Sequence, residues 1–374
     1  MVEPSHRRTV TIGPVCLDML LPDAVEAQVR AELEPFLVMA DEPGRAATLR
    51  VELVADRVPA SWSDVAQGES VAVDTSRYRH LASAGLRFPV DGGYVVHIQA
   101  TGTHVFFAGS ARRVVVHQPD PRLLALDGIR TIKSLVTVLA ESAGGVQLHS
   151  SAVTLDDGRG VLVLGDMWQG KTTLLLELLS AFRVRQLSCD TVVVFPNAGG
   201  GLGAHGWPSP FSVSHGSLSD HPELAGHFPQ ERRDVPYDTL WREGMKAVLT
   251  SGEVVRAFGT GIAPSAAALA HCIVTRFRSD GPVGLTRLTE PAAVVEELRT
   301  VYLGSRDPIY HDWHGYVPVD DELIRGNLER IGELLVRICP VTVLTWAPSA
   351  TSLLKRIPEL GSAHKHLGTL LSAF

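Results

Sequence analysis

The chain of 374 residues is 45% hydrophobic and 20% charged, and its formal net charge is −7. This composition is ordinary for a globular protein with a sizeable core and room for two domains. The acidic balance, without a lysine/arginine block, argues against nucleic acid as a partner, and no apolar run approaches the ~18 residues of a membrane span.

The first part of the chain is predicted to be rich in strands. β-branched and aromatic residues between turn signals predict strands over residues 9–12, 47–54, 93–100, 104–107 and 113–117. Apolar residues near a spacing of 3.6 predict a helix over residues 22–37. This pattern predicts an α+β N-terminal domain over residues 1–140, in which we find no chemical motif.

A connector helix is predicted next, over residues 122–143, with Gly144-Gly145 as its C-terminal stop. We place the domain boundary within residues 118–145, so the second domain covers residues 141–374. It begins with two strands, 147–155 and 161–164, joined by the turn 156–160. The motif that follows residue 164 is therefore preceded by a β-hairpin.

That motif is the segment GDMWQGKT, which fits the phosphate-loop pattern G-x-x-x-x-G-K-[ST] at every required position. A strand precedes it and a helical run (TTLLLELLSAF) follows, so several backbone N–H groups and the positive end of a helix converge on one point. We predict that this loop binds a nucleoside triphosphate, with Lys171 on the outer phosphates and Thr172 on magnesium. The alternative is a glycine-rich turn of structural use only. The predicted nucleotide-binding residues are Gly165, Asp166, Met167, Trp168, Gln169, Gly170, Lys171, Thr172 and Thr173.

Downstream, a strand over residues 185–195 carries one acid, Asp190. Residues 197–238 are rich in Gly, Pro, Ser and His and are predicted to form a long irregular stretch, either functional or disordered. Further elements are predicted as helices over 253–258, 292–301 and 321–338, strands over 271–277 and 341–345, and a turn over 279–282. The arginines near the long stretch (Arg232, Arg233 and Arg242) are candidates for stabilising transferred phosphate charge, although a solvated position is the default.

Three residues near the loop have a plainer interpretation. Trp168 could stack on a base or on the acceptor, but the plainer interpretation is that it fills a gap beside the loop. Glu177 is expected on a solvated helix face, and Cys189 is expected as a small buried residue.

The four widely spaced cysteines predict neither a disulfide framework nor a zinc site and favour a reducing, cytoplasmic location. The first residues lack the apolar core of a signal peptide.

The run QLHSSAVTLDDGRGVLVLGDMWQGKTTLLLELLSAFRVRQLSCDTVVVF resembles the HPr kinase/phosphorylase family and its HPr-kinase-related relatives. A histidine at the start of the hairpin (His149), the hairpin entry, the loop itself and an acid beyond the loop helix (Asp190) match in order and spacing. The resemblance is good over residues 145–195 and loose to about residue 350. It does not extend to the first 140 residues.

The resemblance implies an α/β HPr-kinase-like P-loop domain and an ATP-dependent kinase that uses magnesium to phosphorylate a serine hydroxyl. Gly165, Gly170, Lys171 and Thr172 would hold phosphates and metal, and His149 would lie near Asp190. Asp190 would be a catalytic acid/base or a metal ligand. The family has two adjacent aspartates where this chain has Cys189-Asp190, and the first of them is the favoured base. A positioned base contributes about 10²–10⁴-fold, and its loss raises the barrier by roughly 3–5 kcal/mol.

We therefore predict phosphate transfer from ATP to a serine or threonine hydroxyl of a small protein or peptide, for example a biosynthetic precursor. Reversal by phosphorolysis is not expected, because the corresponding signature is not recognisable. The alternatives are a non-catalytic nucleotide-binding switch or scaffold with a degenerate kinase site, and another ATP-dependent ligation or hydrolysis. A small-molecule alcohol as acceptor and the oligomeric state stay open.

Overall fold

The computed structural model describes residues 5–41, 46–59, 62, 68–73, 83–232, 234–241, 244–266, 268–278, 284–307 and 312–346. The chain divides into two compact units, one formed by residues 1–145 and 303–324 and the other by residues 146–302 and 325–374. Residues 303–324, which lie inside the predicted second domain, therefore belong to the first unit. The mixed α/β character predicted from the sequence is confirmed.

The first unit is built on a nine-stranded sheet in the order β3-β1-β2-β4-β9-β8-β7-β6-β5. Most neighbours are antiparallel, but β4 runs parallel to both β2 and β9. The sheet contains strands that the sequence pattern missed, β2, β3, β5 and β6 among them. The strands are β1 (Ser5–Ile12), β2 (Val15–Pro22), β3 (Val38–Ala40), β4 (Leu49–Val54), β5 (Glu69–Val73), β6 (Ser83–Val90), β7 (Gly93–Ile98), β8 (Thr103–Ala108) and β9 (Arg113–His117).

Two helices of the first unit contact each other, α1 (Asp23–Leu33) and α2 (Pro121–Ser142). The side chain of Asp120 accepts hydrogen bonds from the amides of Arg122 and Leu123 and so caps the start of α2. At its end, Gly144 has φ +87°, and the amide of Gly145 donates to the carbonyl of Ala140 at 2.8 Å. Glycine tolerates this left-handed backbone without strain, so the predicted glycine stop of this helix is confirmed.

The second unit contains an eight-strand path in the order β17-β14-β13-β10-β11-β18-β20-β19, with β12 also paired to β10. Strands β11, β18 and β20 are parallel neighbours, and the other pairs are antiparallel. The strands are β10 (Val146–Leu155), β11 (Arg159–Leu164), β12 (Val184–Ser188), β13 (Thr191–Pro196), β14 (Leu202–Gly206), β15 (Phe211–Ser214), β16 (Lys246–Leu249), β17 (Ser265–Ala266), β18 (Ala268–Phe277), β19 (Gly284–Leu288) and β20 (Val341–Trp346). The separate pair β15–β16 forms a two-stranded sheet.

The helices that follow are α3 (Lys171–Ala181), α4 (His215–Asp220), α5 (Ser251–Ala257), α6 (Pro291–Thr300) and α7 (Asp321–Ile338). α3 packs in a core with β10, β11 and β15, and its leucines from Leu174 to Leu179 are buried. This helix is apolar on nearly all sides, as expected for a helix surrounded by other elements.

Two predictions for this unit are wrong. The predicted strand over residues 185–195 is two strands, β12 and β13, with Cys189 and Asp190 in the bend between them. The predicted irregular stretch over residues 197–238 contains β14, β15, α4 and 3₁₀ turns. Local composition favoured irregular backbone there, but pairing with distant strands overrides it. The predicted turn over residues 279–282 lies outside the described residues.

Candidate phosphate-binding site

The loop between β11 and α3 begins at a glycine that admits no side chain. A Cβ on Gly165 would lie 2.5 Å from Oγ1 of Thr275 and 3.2 Å from the Thr275 carbonyl oxygen. The Thr275 hydroxyl is itself held by donating to the Leu164 carbonyl at 3.1 Å. At its other side the loop is tied to β18, because Oε1 of Gln169 accepts from the amide of Phe277 at 2.9 Å. The loop is thus fixed to the parallel strands at the end where the chain leaves β11.

The loop ends at Gly170, which has φ +88° and directly precedes α3. No side chain caps this helix. Within the described ranges, the amides of Lys171, Thr172 and Thr173 donate to no acceptor. Three amides at one helix N-terminus, together with the helix dipole, form an environment that favours an anion.

Lys171 points its ammonium into the loop. Its Nζ donates to the carbonyl oxygens of Gly165 at 2.7 Å and Asp166 at 3.0 Å, and the residue is 6% exposed. Burial lowers the pKa of Lys171 to about 8, while the nearby carboxylates of Asp190 and Asp166 act in the opposite direction. The cation is therefore costly to keep in this loop, and a polyanion would stabilise it.

His149 lies beside this ammonium, and Asp190 lies beside His149. β10 pairs with β13 through the register His149↔Thr191 and with β12 through Ala152↔Ser188, so the bend between β12 and β13 brings Asp190 beside His149. Nδ1 of His149 is 3.4 Å from Nζ of Lys171, and its Nε2 is 3.3 Å from Oδ1 of Asp190. The predicted proximity of these three residues is confirmed.

The contacts assign the histidine tautomer. A lysine ammonium can only donate, so Nδ1 of His149 accepts and Nε2 carries the ring proton toward the Asp190 carboxylate. The His149 side chain is 14% exposed and that of Asp190 is 41% exposed. The carboxylate is thus oriented from the protein side and open on the solvent side, where a second reactant can reach it.

The two threonines after Lys171 differ in their surroundings. Among the described residues the Thr172 hydroxyl has no hydrogen-bond partner, and its side chain is partly exposed at the helix start. The Thr173 hydroxyl is 2.8 Å from that of Ser217, which is 2.9 Å from that of Ser214. Thr172 is therefore available to a ligand, whereas Thr173 joins the loop helix to the segment after β15.

Trp168 and its neighbour lie at the loop surface. Met167 is 65% exposed and Trp168 is 36% exposed. Trp168 has φ +64°, an uncommon backbone conformation for a residue other than glycine. Its ring lies 3.9 Å from Nζ of Lys246, measured to the ring centroid. Trp168 therefore contacts a cation at the surface and does not fill a gap. Lys246 was missed from the sequence, because nothing in its local pattern links it to a loop some 75 residues earlier in the chain.

Two further residues near the loop helix can now be described. Glu177 was expected in solvent, but it is 8% exposed and lies 3.7 Å from Nε2 of His221. Cys189 is 2% exposed, as expected of a small buried residue, and its thiol donates to the carbonyls of Ser209 and Pro210 at 3.4 and 3.5 Å. Of the arginines singled out above, Arg233 and Arg242 lie outside the described residues.

The donor set suits a hydrated magnesium ion better than a metal bound by protein alone. Across the described ranges, no group of three or more His, Cys, Asp or Glu side chains is arranged to hold a metal ion. Magnesium usually takes one or two protein oxygens together with phosphate oxygens and water. The Thr172 hydroxyl and the exposed Asp190 carboxylate fit that requirement.

Comparison with known proteins does not assign a family: no protein-family model and no curated protein matches this chain. In the part of the chain that the structure describes, no helix is long and apolar enough to cross a membrane.

Proposed function

We propose that the protein is an ATP-dependent phosphotransferase whose acceptor is a serine or threonine hydroxyl of a peptide or small protein. One observation carries this proposal. His149 contacts both the phosphate-loop lysine and a solvent-open carboxylate, at 3.4 and 3.3 Å. A turn of purely structural use has no need of such an arrangement. A kinase needs a cation on the transferred phosphate and a base on the acceptor, side by side.

The loop holds the phosphates of ATP. The amides of Lys171, Thr172 and Thr173 donate to phosphate oxygens, and the Lys171 ammonium exchanges its two carbonyl acceptors for the outer phosphates. Thr172 is the residue that would hold magnesium, which leaves the Asp190 carboxylate to the acceptor hydroxyl. The ion supplies charge neutralisation of the outer phosphates when bound.

Asp190 orients the acceptor hydroxyl and takes its proton. The acceptor oxygen forms a bond to the γ-phosphorus, the bond from that phosphorus to the β-phosphate oxygen breaks, and ADP leaves. His149 donates from Nε2 to the carboxylate and so fixes its position. Phosphoryl transfer depends mainly on positioning and charge, so one base is sufficient for turnover without a second acid at position 189.

A peptide or small-protein acceptor is favoured by the resemblance to the HPr-kinase-related proteins, whose acceptors are serine hydroxyls. The exposed Met167 and Trp168 offer apolar contact area at the surface of the loop. Cytoplasmic ATP is the natural phosphate donor, and the four buried free cysteines agree with a reducing compartment.

The test is phosphotransfer from Mg-ATP to peptides and small proteins encoded beside the gene, followed by mass spectrometry for the added phosphate. Asp190→Asn should lower the single-turnover rate by about 10²–10⁴-fold with little change in ATP affinity. Cys189→Ser serves as the matched control and should stay near the wild-type rate. Cys189→Asp should raise the rate by supplying a second carboxylate. Full activity in Asp190→Asn would show that another group carries the chemistry.

A nucleotide-binding switch without turnover is the second candidate. It is favoured by Cys189, a buried thiol where the resembling family carries its preferred base. Tight Mg-ATP binding combined with no transfer to any acceptor and no hydrolysis would select this candidate over the kinase.

A further inference from the structure

Lys246 is the first residue of β16, and the strand's position relative to the loop helix is set by hydrogen bonds. Ser214, at the end of β15, is the register partner of Lys246. The amide of His215 donates to the carbonyl of Met245 at 2.8 Å, which closes the same end of the pair. The hydroxyl chain from Ser214 through Ser217 reaches Thr173 on α3. The backbone that carries Lys246 is therefore fixed to the helix that opens with Lys171.

The side chain of Lys246 is held separately, by the face of Trp168. The 3.9 Å separation between Nζ and the ring centroid is within the range of a favourable cation–π contact. Trp168 sits inside the loop, two residues before Gly170, so this contact keeps the ammonium at the loop mouth. Its left-handed backbone, at φ +64°, is an unfavourable conformation that a tryptophan adopts only where the surroundings enforce it.

The two lysines at the loop act on each other electrostatically. The positive charge of Lys246 contributes to lowering the pKa of Lys171, after the larger effect of burial. The carboxylates of Asp190 and Asp166 raise the pKa of Lys171, and each has a larger effect on it than Lys246. Two lysines beside one uncapped helix N-terminus favour a ligand of high negative charge over one of lower charge. The terminal phosphate of ATP has that charge, and ADP lacks it.

We propose that Lys246 is a second phosphate-binding cation, specific for the terminal phosphate of ATP, and that Trp168 is the positioning residue that holds it there. This inference rests on the proposed function, because it assumes that the loop binds a nucleoside triphosphate. It adds a residue from outside the loop motif and a role for the exposed tryptophan. It also gives the site a means of distinguishing ATP from ADP before transfer.

The experiment is calorimetric titration of the full-length protein with a non-hydrolysable magnesium–ATP analogue and, separately, with Mg-ADP. Lys246→Ala should weaken binding of the ATP analogue about 10- to 100-fold, the range of one charge-assisted contact, and leave Mg-ADP affinity close to that of the wild type. Arg287→Ala is the matched control. It removes one positive charge from an exposed position on β19, three strands away from β11 in the sheet.

The role of Trp168 is tested by coupling. Trp168→Leu should weaken binding of the ATP analogue more than binding of Mg-ADP. Trp168→Phe keeps an aromatic face and should retain most of the wild-type affinity for the analogue. In the Lys246→Ala background, Trp168→Leu should have little further effect on the preference for the ATP analogue, because the positioned group is gone.

Several results would overturn the inference. If the wild type binds both nucleotides and Lys246→Ala matches Arg287→Ala, Lys246 is not a phosphate ligand. An equal loss of ADP and ATP-analogue affinity in Lys246→Ala would contradict specificity for the terminal phosphate. If the wild type binds neither nucleotide, the proposed function fails and this inference fails with it.

Discussion

Nucleotide affinity should depend on pH through Lys171. Burial holds the pKa of this ammonium at about 8 in the free protein. Phosphate oxygens in contact with the ammonium favour its charged form, so the pKa rises when ATP binds. Binding then requires proton uptake wherever Lys171 of the free protein is partly neutral. Affinity for Mg-ATP should therefore be highest below pH 8 and should fall as the pH rises through 8.

The magnitude follows from the fraction of charged lysine. Apparent affinity scales with the population of the binding-competent form. One pH unit above the pKa, about one tenth of the molecules carry the ammonium, so affinity should be roughly tenfold lower near pH 9 than near pH 7. At pH 7 the ammonium is mostly formed, and little further gain is expected on acidification.

The assay is calorimetric titration with Mg-ATP near pH 7, 8 and 9, in buffers of different ionisation enthalpy so that protons taken up are counted. Lys171→Arg is the matched control, because a guanidinium stays charged throughout this range and should remove the pH slope, whatever its absolute affinity. A wild-type affinity that stays flat from pH 7 to 9, with no proton uptake, would refute the reasoning.

Three further predictions concern the loop, the metal and the first unit. Gly165→Ala should destabilise the protein by about 1–3 kcal/mol, because the new Cβ would approach Oγ1 of Thr275 to 2.5 Å; an unchanged unfolding midpoint in denaturant would contradict this. Thr172→Val keeps the side-chain shape and removes the hydroxyl, so ATP affinity should lose most of its magnesium dependence, whereas Thr172→Ser should keep it. Burial, helped by the neighbouring His97, lowers the pKa of His104 to about 4. The unfolded chain therefore binds more protons than the folded protein between pH 4 and 6.5, so the free energy of unfolding should fall by about 3 kcal/mol as the pH drops through that window. Equal acid sensitivity of the wild type and His104→Gln would contradict this.

The strand–loop–helix arrangement around Gly165 to Thr172 could be predicted from sequence because its determinants are local. Strand, glycines, lysine, threonine and helix follow one another within about twenty residues, and each has a fixed backbone requirement. The stop of α2 at Gly144 is predictable for the same reason, since φ +87° is a conformation that glycine adopts without strain. Helix α7, which has strong periodicity, was also predicted at its actual bounds.

The surroundings of the loop depended on pairing between distant strands, which a local pattern does not encode. The bend at Asp190 exists because β10 pairs with β12 at one end and β13 at the other. The run RQLSCDTVVVF contains no glycine or proline to mark a break, so its division into two strands was missed. Lys246 is placed near the loop by the β15–β16 pair and by the serine contacts of α4. Glu177 is buried and lies beside His221, which is distant in sequence, so no local signal indicates the contact.

The most direct test of the central claim is a structure determined with magnesium and a non-hydrolysable ATP analogue. The outer phosphates should lie on the amides of Lys171 to Thr173, with the Lys171 ammonium moved from the Gly165 and Asp166 carbonyls to phosphate oxygens. The Asp190 carboxylate, still in contact with His149, should face the terminal phosphate. A nucleotide bound elsewhere, or Asp190 turned away from the terminal phosphate with Lys171 still on its loop carbonyls, would contradict it.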